Sequence, residues 1–156
     1  MNAQQVMTSD PACCGPDTTA SEAARQMTDH DCGCLPVIDD DGKVTGVVTD
    51  RDLATRALAE DTDPDTPVRE VMSSPAMCCG TSTDTTEVAE MMAQHQVRRV
   101  PVVDADDRLV GMVAQADLAR QGDLDAGSVA GTVAAVSEPT RDSRSVDAED
   151  SGRLQP

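Results

Sequence analysis

Residues 6–54 and 71–119 are the same segment written twice, and this repetition constrains the fold more than any other feature of the chain. At a constant offset of 65, Val6-Met7 falls on Val71-Met72 and Cys13-Cys14-Gly15 on Cys78-Cys79-Gly80. Glu22, Met27 and His30 fall on Glu87, Met92 and His95; Pro36-Val37, Asp39 and Gly46 fall on Pro101-Val102, Asp104 and Gly111. Twenty of the 49 ungapped pairs are identical. One departure concerns chemistry: GVVTDRD at 46–52 becomes GMVAQAD at 111–117, so Thr49 loses its hydroxyl in Ala114.

Each copy carries the same pattern. A short extended piece at Cys13-Cys14 (Cys78-Cys79) precedes a helix, over 20–30 in copy one and 84–96 in copy two, with apolar residues at helical spacing. Thr19 or Ser21 suits the first helix as a cap. Leu35-Pro36-Val37-Ile38 and the run 44–49 flank the turn Asp39-Asp40-Asp41-Gly42, which predicts a hairpin. A second helix over 50–58 closes the unit. The chain therefore predicts an α+β fold of two β-α-β-β-α repeats, at 6–60 and 71–122, joined by the linker 61–70. Neither unit buries both faces of its sheet alone, so the two are expected to pack together. In the tail, 123–156, the stretch 129–136 suits a short strand or helix. The polar, acidic remainder from Ser137 predicts disorder.

The chain has 38% hydrophobic residues but no Phe, Trp or Tyr, so its core must be built from aliphatic side chains and eight Met. A net charge of −17 opposes binding to nucleic acid or anionic lipid. No apolar run approaches the ~18 residues of a membrane span, and no basic start precedes an apolar stretch. These features predict a soluble, cytoplasmic protein.

A duplicated unit with L-P-V-h-D before the hairpin and G-h-h-T-x-x-D after it resembles the CBS domain, and two in tandem resemble the CBS pair called a Bateman module. HQVRRVPVVD and the later VAAVSEPT further resemble stand-alone bacterial CBS pairs of the hypoxic-response type. The resemblance implies approximate two-fold symmetry and two clefts between the repeats. Such clefts often take adenosine-containing ligands: AMP, ADP, ATP, S-adenosylmethionine or NAD. Thr49 and Asp52 match the family's phosphate- and ribose-binding threonine and aspartate, and Asp117 matches the aspartate in copy two. Arg98 and Arg99, where copy one has Gly33 and Cys34, match basic positions that face the clefts, and guanidinium groups suit phosphate. One competent cleft drawing on both copies is the economical reading. The same residues admit plainer roles: Thr and Asp cap helices, and surface arginines pair with carboxylates. Arg51 and Arg56 are lesser candidates for the same field.

Six cysteines remain. Their spacing makes no C-x-x-C pair of the zinc-ribbon kind. In the family fold the strand of Cys13 and Cys14 lies near that of Cys34, which suits a redox pair or, with Cys32, a metal; burial as small apolar residues is the alternative. His30 and His95 sit near helix ends, where dipole or surface roles outweigh ligation. No paired carboxylates, Ser/His/Asp set, P-loop or GxGxxG is present, so the chain is not expected to be an enzyme or to require a cofactor. The leading reading is a nucleotide-sensing regulatory module. The alternatives are a homodimeric scaffold with empty clefts that binds an effector protein, and a redox-sensitive cysteine protein.

Overall fold

The computed structural model describes residues 1–121 and 126–137. The α+β tandem-repeat architecture holds. In copy one, a short helix α1 (Ala3–Val6) and strand β1 (Thr8–Ser9) precede α2 (Ala20–Asp29) and the hairpin β2 (Cys34–Ile38)–β3 (Val44–Thr49). Helix α3 (Asp50–Asp52) then continues as a π-helical stretch, Leu53–Leu58. Copy two follows with a 3-10 turn (Val68–Glu70), β4 (Cys79–Gly80), α4 (Thr85–His95), β5 (Arg99–Val103), β6 (Leu109–Ala114) and α5 (Gln115–Gln121). A further helix, α6 (Ala126–Ser137), packs on α4. The apolar stretch at 129–136 is thus helical; the disorder expected beyond Ser137 lies outside the described residues.

Local chemistry explains where the elements begin. Thr19 caps α2 in a reciprocal box: its hydroxyl accepts from Glu22 N–H at 3.1 Å, and the Glu22 carboxylate accepts from Thr19 N–H at 3.0 Å. Asp84 caps α4 by accepting from Thr86 N–H at 2.9 Å. Both hairpin turns are built on one aspartate. Asp39 accepts from Asp41 and Lys43 N–H, and Asp104 accepts from Asp106 and Arg108 N–H, at 2.9 and 3.0 Å in each case. These bonds hold the Asp104 carboxyl below its ordinary range. The two hairpins also meet each other: Leu109 N–H donates to Gly42 O at 3.0 Å and Arg108 Nε to Asp41 O at 3.2 Å.

The sheets show how the copies join. One has the order β1-β6-β5-β4 and the other holds β2 and β3. Strand β1, from copy one, pairs antiparallel with β6 of copy two, setting Thr8 opposite Met112. In return Ser73, at the start of copy two, bridges Val47 of β3. The core has the same exchange. Ala3 and Val6 pack with Val88, Met92, Val100, Val102 and Val113, while Val68 and Val71 pack with Ala23, Leu35, Val37 and Val48. The packing units are therefore out of phase with the repeat at 6–60 and 71–122: each half is completed by the leading segment of the other copy.

The crossings need glycine. A Cβ at Gly46 would lie 2.7 Å from Met72 Sδ and 2.8 Å from Ser73 O, and one at Gly111 would overlap Met7 Sδ. Among the described residues, every large side chain that is fully buried is Leu, Met, Val or Pro. The core is dense aliphatic packing without ring burial.

Candidate functional site

Strand β3 runs directly into α3, which places Thr49 at the joint as N-cap and Asp52 in the first helical turn. Asp52 N–H donates to Thr49 Oγ1 at 3.0 Å, and Thr49 N–H donates to Asp52 Oδ2 at 3.0 Å. The pair is a closed capping box, and Asp52 is only 8% exposed. The neighbouring N–H groups are also occupied: Asp50 N–H donates to Gly33 O at 3.0 Å and Arg51 N–H to the Asp50 carboxylate at 2.8 Å. The helix-start N–H groups, which at an open helix N-terminus can cradle a phosphate, are therefore already taken here. What the capping box leaves for a ligand is the Thr49 O–H, because its oxygen accepts here and its hydrogen remains a donor. Asp52 likewise keeps lone pairs beyond the one its cap uses.

Sequence reasoning underrated Arg56. It stands one turn beyond Asp52, 3.9 Å from Asp52 Oδ1, and its Nη1 donates to Val71 O at 3.3 Å and Met72 O at 3.1 Å. Arg56 thus ties the candidate carboxylate to the segment leading into copy two. Copy two has no counterpart, since the matching position is Gln121.

Copy two keeps half of this arrangement. Asp117 Oδ2 accepts from Ala114 N–H at 2.8 Å, but the alanine offers no hydroxyl to Asp117 N–H. Asp117 Oδ1 lies 3.5 Å from Arg120. Gln115, which replaces Asp50, has a buried Nε2 without a hydrogen-bond partner among the described residues. An unsatisfied buried donor costs about 1–3 kcal/mol. The repeat comparison exposes the substitution, but nothing in the sequence marks the orphaned amide.

Arg98 and Arg99 are exposed, and among the described residues neither makes an ion pair. Arg98 anchors the start of α5 through its backbone, its O accepting from Gln115 N–H at 2.9 Å. Arg99 begins β5 opposite Ala114. Its charge reaches into copy one. Burial pushes the Cys34 thiol up to about 12; Arg99 pulls it down, while Cys32, Asp52 and Asp50 push it further up. Arg99 of copy two is thus close enough to Cys34 of copy one for its charge to act on that thiol, and Cys34 stands opposite Thr49 across the hairpin.

The cysteines are all free. Cys14 pairs with Val37 in parallel register, three residues along β2 from Cys34. That offset is about 10 Å of strand, beyond the ~7 Å between Cα atoms that a disulfide tolerates. Cys13 is one residue nearer and still two out of register. The fold thus sets Cys13 and Cys14 beside β2 without bringing either onto Cys34. Burial pushes Cys14 and Cys79 up to about 11, with the adjacent cysteine adding to each. These are the properties of buried apolar thiols. Among the described residues no group of three or more His, Cys, Asp or Glu side chains is arranged to hold a metal. No helix among them is long and apolar enough to cross a membrane.

Two repeats of this topology, crossing at their leading segments, define a CBS pair. The CBS-domain family model matches residues 3–59 and 68–122, and the chain belongs to that family. The CBS domain-containing protein YhcV of Bacillus subtilis is 41% identical over 116 residues, 74% of this chain and 81% of that protein. Hypoxic response protein 1 of Mycobacterium tuberculosis is 38% identical over 119 residues, 76% of this chain and 82% of that protein. Among solved structures, Hypoxic Response Protein I with two coordinated zinc ions matches with a TM-score of 0.72 at 37% identity, covering 77% of this chain and 98% of that one. CBSX2 in complex with AMP matches with a TM-score of 0.70 at 27% identity, covering 78% and 95%. The CBS pair of MJ0100, bound to 5-methylthioadenosine and S-adenosylmethionine, matches with a TM-score of 0.71 at 27% identity, covering 78% and 98%.

Proposed function

We propose that this chain is a regulatory module that binds an adenosine-containing ligand in a cleft between its repeats and acts by binding rather than by turnover. One cleft is competent. Thr49 O–H donates to a phosphate or its equivalent, Asp52 accepts the ribose hydroxyls, and Arg99, with Arg98 beside it, meets the negative charge. The observation that carries this reading is the reach of the Arg99 charge to Cys34, which stands opposite Thr49 across the hairpin, because it draws a cation from one copy toward the motif of the other. AMP bound to CBSX2 and S-adenosylmethionine bound to MJ0100 support the ligand class. The second cleft keeps Asp117 but not the hydroxyl, and holds phosphate poorly. With no ring to stack on adenine, recognition rests on aliphatic walls and backbone hydrogen bonds, which favours modest affinity.

The test is a calorimetric melting series with AMP, ADP, ATP, S-adenosylmethionine and NAD. A ligand at a hundred times its dissociation constant adds about 2.7 kcal/mol of stability. One ligand should raise the melting temperature of the wild type, and Arg99→Ala, an exposed change, should abolish the rise without altering the ligand-free melt. An unchanged melt across the panel would count against the reading.

A second reading draws on a different observation. The N–H groups of Asp50, Arg51 and Asp52 all have partners within the chain, so the site needs no ligand to be satisfied. On this reading the clefts stay empty and the protein is a homodimeric scaffold for an effector protein. A strictly monomeric species in sedimentation, together with a ligand-induced melting shift, would remove it.

A further inference from the structure

One side chain of copy one touches both the candidate carboxylate and the place where copy two crosses over. Ser73 N–H donates to Val47 O at 2.9 Å, and Val47 N–H donates to Ser73 O at 3.0 Å. Immediately before this pair, Val71 O and Met72 O accept from Arg56 Nη1 at 3.3 and 3.1 Å. The same guanidinium stands 3.9 Å from Asp52 Oδ1. Asp52 Oδ2 accepts from Thr49 N–H, so Oδ1 is both the oxygen facing Arg56 and the one left for a ribose.

The backbone that carries Arg56 differs from its counterpart. Directly after Asp52 it widens into the π-helical stretch Leu53–Leu58, where Ala59 N–H donates five residues back, to Ala54 O. The repeats align here without a gap, yet copy two continues as the α-helix Gln115–Gln121. Isolated π-helical turns recur at functional positions. Copy two has Gln121 in place of Arg56, and its Arg120 lies 3.5 Å from Asp117 with a side chain 76% exposed. The reverse crossing, β1 on β6, thus lacks a guanidinium at this position.

We infer that Arg56 is a latch, coupling the Asp52 carboxylate to the seat of the leading segment of copy two, so that an occupied cleft loosens this crossing and not the reverse one. The ligand's part in this rests on the nucleotide reading above; the link from Asp52 to the segment does not. Asp52 is 8% exposed, and a carboxylate so buried needs compensation. Arg56 supplies it in the empty cleft and is thereby held where it reaches the two carbonyls. Ribose hydroxyls that donate to Oδ1 take over that compensation. The guanidinium, its side chain already 49% exposed, is then released toward water. The equilibrium biased in this way is the local opening of the Ser73–Val47 pair, which amide exchange reads directly.

The test follows amide hydrogen exchange by NMR in the full chain. Ser73 and Val47 report this crossing, and Asp10, whose N–H donates to Val110 O, reports the reverse one. Asp52→Asn keeps a capping acceptor and removes the charge. It should speed exchange at Ser73 and Val47 about threefold to fivefold, the scale of a partly exposed ion pair, and leave Asp10 unchanged. Arg56→Met, which keeps the apolar stem, should give the same rise, and Asp52→Asn added to it should give no more. Equal acceleration at all three amides, no response to Asp52→Asn, or a response that persists without Arg56 would overturn the latch. AMP, ADP, ATP, S-adenosylmethionine and NAD are then added in turn. One that raises the melting temperature should speed exchange at Ser73 and Val47 in the wild type and not in Arg56→Met. A melting shift without that change would overturn the ligand's part and leave the nucleotide reading standing. An unchanged melt across the panel would remove the nucleotide reading and the ligand's part together, while the variants alone decide the latch.

Discussion

At position 114 one missing hydroxyl separates the two copies. Asp52 N–H is met by Thr49 Oγ1, while Asp117 N–H faces a methyl group. Ala114→Thr should close the second capping box and raise stability by about 1 kcal/mol, read from urea unfolding. If Thr49 holds the ligand as proposed, the same change should raise the stoichiometry in titration calorimetry from one site toward two. The buried thiols set a second residue-level behaviour. Cys14, Cys34 and Cys79 have their pKa values raised to about 11, 12 and 11 from an ordinary 9.0. Between those limits the unfolded chain gives up protons that the folded chain keeps, so stability falls as pH rises. Below about pH 8 these three groups should contribute no slope. Above about pH 9 stability should decline steeply, and Cys34→Ala should flatten part of the decline in pH-dependent denaturation.

Elements show which features a sequence can reveal. The helix starts were legible because caps are local: Thr19 and Glu22, or Asp84 and Thr86, sit within three residues of each other. The same locality made Thr49 and Asp52 ambiguous, since a cap and a ligand contact draw on the same atoms. Helix α6 was ambiguous for another reason. Its Ala, Gly, Val and Ser side chains give little amphipathic contrast, so only its seat on α4 makes it a helix in context. The partner of β1 was illegible, because an alignment gives the period of a repeat and not the copy on which a segment packs. The crossings can be tested directly. Gly111→Ala should destabilise by about 1–3 kcal/mol through overpacking against Met7. Met7→Ala in the same chain should recover part of that loss.

For the whole molecule, exchanged segments mean that neither half owns a complete core. Ala3 is 0% exposed within the copy-two cluster, and Val68 is 0% exposed within that of copy one. Urea unfolding followed by far-UV circular dichroism and by calorimetry should therefore give one coincident transition. An isolated fragment 12–73 should fold better than 6–60, although the second matches the sequence repeat. Net charge acts at the same scale. With 29 acidic against 12 basic side chains, the compact state repels itself, and moderate salt should raise the melting temperature.

Reciprocal exchange of leading segments is also the topology of a strand-swapped dimer. A chain holding one copy of this unit would have to find a twin and trade ends with it, at a rate and extent set by concentration. Joining the two copies makes that encounter intramolecular, with an effective concentration in the millimolar range for short flexible connections. Once joined, the halves are also free to diverge without losing each other. One can keep a hydroxyl at 49 and aspartates at 31 and 50 while the other takes arginines at 98 and 99. Two identical chains bound by symmetry must change both sides at once; a fused pair can give each side a different task.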